Sequence, residues 1–124
     1  MTANPLIERA FQRLSERPGF KDRPGQQQVA LLLSDCIEGG INSAIEAPTG
    51  IGKSLATLIP AIAHAMVSGK RTVIATYTNI LAEQYWRQDL PLAFSLFDEA
   101  DYEEPVRVQF LIGRARYACR LSMS

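Results

Sequence analysis

Eight residues, Ala47-Pro48-Thr49-Gly50-Ile51-Gly52-Lys53-Ser54, constrain this chain more than any others. They follow a short apolar run at residues 41–45 and precede an apolar pattern of helical period at residues 55–67. Strand, glycine-bearing loop and helix in that order form the setting of a phosphate-binding loop. Each residue type has a reason. Gly50 and Gly52 lack a Cβ, so the backbone can take a tight path around a polyphosphate. Successive N–H groups then face the anion at the positive end of the following helix. Lys53 is placed to meet the β- and γ-phosphates as a point charge, and the Ser54 hydroxyl to ligate Mg²⁺. Ala47 stands where the general pattern has Gly. The competing reading is a Gly-rich turn ahead of a core helix.

The chain has 124 residues, enough for one small domain. Thirteen basic and 13 acidic side chains cancel, so bulk charge gives no support for nucleic-acid binding and any such contact must be local. No apolar run is long enough to span a bilayer, and the N-terminus lacks a basic stretch followed by an apolar core. Cys36 and Cys119 are too few for a disulfide framework, which fits a cytoplasmic protein in a reducing compartment. A complete nucleotide-hydrolysing α/β domain usually needs about 150 residues or more. The chain therefore reads as the front part of a larger enzyme.

Helical spacing of Leu6, Ile7, Ala10, Phe11 and Leu14 predicts a first helix, capped by Asn4 and stopped at Arg17-Pro18-Gly19. A second starts near Pro24, with Val29, Leu32, Leu33, Cys36 and Ile37 on its apolar face, and ends at Gly39-Gly40. Residues 41–47 read as a first strand, 53–67 as a crossover helix, 71–76 as a second strand and 106–112 as a third. Residues 79–88 read as a helix with Leu81, Tyr85 and Trp86 facing inward, and residues 89–105 as irregular. Strand–helix alternation predicts an α/β fold with a parallel sheet of right-handed crossovers.

Taken with Phe20, the segment Arg23-Pro24-Gly25-Gln26 and the segment Gly113-Arg114-Ala115-Arg116-Tyr117-Ala118-Cys119, the loop resembles the DinG/XPD-type superfamily 2 DNA helicases. The resemblance runs from about residue 20 to 119. It implies an incomplete first motor domain of RecA-like, P-loop NTPase type. Three parts follow: residues 1–40 with the adenine-recognition segment, 41–112 as a partial P-loop domain, and 113–124 leading into an iron–sulfur insertion. By the same resemblance Arg23, Pro24 and Gln26 recognise adenine, and Phe20 stacks on its ring; a glutamine amide offers a donor and an acceptor, as the N6/N7 edge requires. Residues Ala47 to Ser54 match motif I, including its leading Ala. Thr76-Tyr77-Thr78-Asn79 resembles motif Ia, where hydroxyls and free amides grip a phosphate of single-stranded DNA. An N-cap by Thr78 or Asn79 is the ordinary alternative, and the two roles are compatible. Arg114 is a further candidate DNA contact, in a basic cluster with Arg116 and Arg120.

Cys119 has two readings. By resemblance it is the first of four thiolates holding a 4Fe-4S cluster in the full-length protein; on its own it is a packed free thiol. Some DinG-like relatives lack these ligands, and a cluster is not assumed. Asp98-Glu99-Ala100-Asp101 spells the metal-binding motif of DEAD-box helicases. That motif must end a buried strand, and the surroundings here favour a solvated acidic loop. His64, without a Cys or His partner at metal spacing, reads as a core histidine. The reading is thus the N-terminal part of an ATP-dependent DNA helicase, using ATP and Mg²⁺ and moving on single-stranded DNA. The group that orients the attacking water is not assigned within the chain, so the chain alone is expected to hydrolyse little ATP. The alternatives are a non-catalytic nucleotide-binding fragment and another P-loop NTPase.

Overall fold

The computed structural model describes residues 3–21, 23, 25–46, 52–76, 78–97 and 106–111. Helix α1 spans Asn4–Ser15 and buries Leu6, Ile7, Ala10, Phe11 and Leu14, the stripe expected from their spacing. Its N-cap is Ala3, with Pro5 in the first turn, so Asn4 does not cap it. The Asn4 side chain instead accepts from the Ser34 hydroxyl at 2.7 Å. Helix α2 spans Gln26–Gly39. It ends at Gly40 in the left-handed region (φ 65°), and the Ile41 N–H reaches the Cys36 carbonyl at 2.9 Å, which closes the last turn. Helix α3 spans Lys53–Ser68 and is the central element, buried from Leu58 through His64. It touches α1, α2 and the later helices. A helix apolar on most sides has to be surrounded in this way. Pro60 lies fully buried within it and leaves the Ala56 carbonyl without its usual donor.

The fourth helical stretch has three parts: α4 (Asn79–Gln84), a widened π turn (Tyr85–Asp89) and α5 (Leu90–Ser95). The backbone stays helical through both junctions. Pro91 donates no hydrogen bond and its ring crowds the carbonyl four residues back, at Arg87. The extra residue in the π turn lies where that crowding falls. Residues 90–95, expected to be irregular, are therefore helical. Ala93, Leu96 and Phe97 join the core formed by α1 and α3. Arg13 of α1 donates to the Leu96 carbonyl at 2.8 Å and so closes the C-terminal end of α5.

The expected parallel sheet is overturned: among the described residues no strand is present. Residues 41–46, 71–76 and 106–111 run as irregular chain. Strands of a parallel sheet are stable when helices cover both faces. Here α1, α2 and α3 pack on one another, leaving Val73 88% and Ile41 64% exposed. Without burial, nothing offsets the entropy of ordering those segments.

The face of α2 also differs from expectation. Gln26, Ala30 and Ser34 are buried, whereas Leu32 is half exposed and Ile37 is exposed. Small and polar residues one turn apart let α2 lie close against α3. Ser34 also meets His64 Nε2 at 2.9 Å. Because the single Ser34 proton goes to Asn4, His64 is the donor in that contact. The three side chains tie α1, α2 and α3 together, and the core-histidine reading of His64 holds.

Candidate functional site

Gly52, Lys53 and Ser54 form the junction into α3. Gly52 takes the left-handed conformation (φ 75°, ψ 56°) as N-cap, and the first turn of the helix has no side-chain cap. Lys53 is exposed and Ser54 half-buried. An ammonium at the positive end of a helix is unfavourable by roughly 0.3–1 kcal/mol in the absence of an anion. Lys53 and the uncapped amides are thus a donor set suited to a phosphate chain. Ala47, Pro48, Thr49, Gly50 and Ile51 lie outside the described residues.

Gln26 reaches this junction from α2. Its Nε2 donates to the Gly52 carbonyl at 3.1 Å. Arg23 arrives beside it. A Cβ built on Gly52 would collide with Gln26 Nε2 and lie 2.9 Å from Arg23 Nη1. The torsion favours glycine, and a Cβ would have to push aside the ends of the Gln26 and Arg23 side chains. Gln26 is buried and Arg23 exposed, so the amide is held while the guanidinium is open to solvent. Pro24 lies outside the described residues. Phe20 is exposed in the turn after α1, its N–H held by the Arg17 carbonyl at 3.2 Å, and it is not among the side chains nearest Gly52.

A cavity of about 480 Å³ opens beside Lys53. Val29 and Leu33 of α2 and Ile45 form its apolar wall; Ser43, Glu46, Lys53 and Thr57 supply polar groups. Its size falls within the range of small-molecule sites, about 300–1,000 Å³. Val29 and Leu33, set off the buried Gln26-Ala30-Ser34 stripe of α2, face it. The sequence signal for that was the Gln26-Ala30-Ser34 stripe, which a search for large apolar residues passes over.

At the candidate nucleic-acid junction, Thr78 caps α4, accepting from the Leu81 N–H at 3.2 Å. Thr76 Oγ1 donates to the Thr78 carbonyl at 3.2 Å. Both hydroxyls therefore organise the turn itself, while the Asn79 side chain is exposed. Arg114, Cys119 and the run Asp98 to Asp101 lie outside the described residues. Among the described residues no cluster of three or more His, Cys, Asp or Glu is arranged to hold a metal ion. No described helix is long and apolar enough to cross a membrane. Trp86, expected to face inward, is 38% exposed and stacks on Phe110, with centroids 5.6 Å apart and 21° between planes. The sequence carried no sign of that pairing.

The profile of the DEAD/DEAH box helicase family matches residues 23–102. Among characterised proteins, the chain is 36% identical over 102 residues to the 3'-5' exonuclease DinG of Bacillus subtilis, covering 82% of this chain and 10% of that protein. It is 35% identical over 112 residues to the ATP-dependent DNA helicase DinG of Escherichia coli K12, covering 88% of this chain and 15% of the relative. The Salmonella typhimurium protein of the same name is 36% identical over 104 residues, 82% of this chain and 14% of its own length. The chain thus spans between a tenth and a sixth of these relatives. No solved structure matches it significantly.

Proposed function

Because the chain belongs to the DEAD/DEAH box helicase family and is similar to its DinG members, we propose that it is part of an ATP-dependent DNA helicase and carries the ATP-binding corner of that enzyme. The observation that most supports this is the hydrogen bond from Gln26 to the Gly52 carbonyl. It joins the segment assigned to adenine with the loop assigned to phosphates, 26 residues apart.

Lys53 would hold the β- and γ-phosphates, with the first-turn amides of α3 beside it. Ser54 would ligate Mg²⁺, and residues 47–51 would wrap the polyphosphate. Arg23, Pro24 and Gln26 would select adenine, with Phe20 against the ring. Bound ATP and Mg²⁺ supply the phosphoryl group and the charge neutralisation of its transfer. The chain's own contribution is to bind and orient them. Single-stranded DNA would be gripped through Thr76, Thr78, Asn79 and Arg114 in the longer enzyme. A single Cys119 thiolate does not make an iron–sulfur donor set.

Titration of the chain with a fluorescent ATP analogue and Mg²⁺ tests the proposal. We expect saturable binding that ATP displaces better than GTP. Lys53→Ala should weaken it about tenfold or more, as loss of one charge-assisted phosphate contact does. Gln26→Ala should erase the preference for ATP. Absence of binding at millimolar nucleotide, or binding indifferent to Lys53, would overturn the assignment.

A further inference from the structure

We propose that the Trp86–Phe110 pair is a stacking platform for a base of single-stranded DNA, with Arg87 and Arg107 supplying phosphate contacts from the same two segments. The inference rests on the reading of the chain as part of a DNA helicase and adds a contact that the motif residues do not contain.

The two rings come from parts of the chain 24 residues apart, the π turn and the segment 106–111. They lie nearly parallel and stacked, so Phe110 backs the indole of Trp86. Phe110 covers Trp86 on one side, yet 38% of Trp86 remains open to solvent. Trp86 is thus far more open than the enclosed core side chains Ile59 and Leu96. Arg87 and Arg107 are exposed. The carboxylates nearest in sequence, Glu83 and Asp89, are both half-buried. An exposed aromatic side chain with arginines on the same segments is the recurring chemistry of single-strand binding, because every base offers a π face and every nucleotide a phosphate. A widened helical turn is also a frequent place for functional side chains.

Trp86 is the single tryptophan, so its emission reports this platform alone. The chain would be titrated with a thymidine oligonucleotide of about 15 nucleotides, following both Trp86 emission and the anisotropy of a labelled strand. An abasic strand of the same length serves as control. We expect quenching with the oligonucleotide and none with the abasic strand. Trp86→Ala should weaken oligonucleotide binding about tenfold and leave abasic binding unchanged. Trp86→Phe, which keeps a ring on Phe110, should retain most of the affinity and guards against loss of fold in the alanine variant. Rising anisotropy with unchanged emission, or equal binding of the oligonucleotide by wild type and Trp86→Ala, would overturn the platform while leaving DNA binding intact. No binding of either strand would overturn both.

Discussion

Two demands meet at Gly52. Its torsion lies where a side chain is strained, and the space a Cβ would fill belongs to the ends of Gln26 and Arg23. Gly52→Ala should therefore destabilise the chain by about 1–3 kcal/mol, part from the left-handed backbone and part from the displaced Gln26 amide. Urea unfolding measures this. Gly19, also at positive φ but with nothing within 4 Å, isolates the backbone part: Gly19→Ala should cost less. Equal costs would mean that Gln26 and Arg23 yield freely. The need for glycine at position 52 was legible in the sequence, because the phosphate-loop pattern calls for it. The collision partner was not, since nothing local in Arg23-Pro24-Gly25-Gln26 says which carbonyl its amide will find.

Among the elements, α1, α2 and α3 were all legible from apolar period, and α2 and α3 also from the glycines that stop them, Gly40 and Gly69. The inward face of α2 was not. Periodicity ranked its large apolar residues first, but the nearness of α3 and the partner offered by His64 decided the matter for Ser34 and Ala30. Ser34→Ala tests that account. It leaves the buried His64 N–H without its hydroxyl acceptor and frees Asn4, and should cost about 1–3 kcal/mol in thermal or urea unfolding. Ser15→Ala, at an exposed hydroxyl on α1, should change stability by no more than about 0.5 kcal/mol. A neutral Ser34→Ala would mean that the three-helix tie contributes nothing. The helix through Pro91 was missed for a related reason. Proline is a breaker in the sequence, but a widened turn just before it lets the chain stay helical.

At the scale of the molecule, apolar runs were legible as runs, but their destination was not. Residues 71–76 have the composition of a buried strand, yet burial depends on what covers them, and the helices cover one another instead. Ile59 and Val73 separate the two arrangements. Ile59→Ala should cost about 2–5 kcal/mol, because the side chain is fully enclosed. Val73→Ser should cost less than about 0.5 kcal/mol, because its side chain already faces water. A large loss at Val73, read by the same unfolding curves, would show the segment packed rather than open. Helix α1 has a further consequence at this scale. The family match begins at residue 23, yet Leu6, Ile7, Ala10, Phe11 and Leu14 supply much of the floor on which α3 rests. Trimming the chain to residues 23–102 would pull out that floor and open Ile59, Ile62 and Leu96 to water, so the reach of the family profile is not the boundary of the foldable unit.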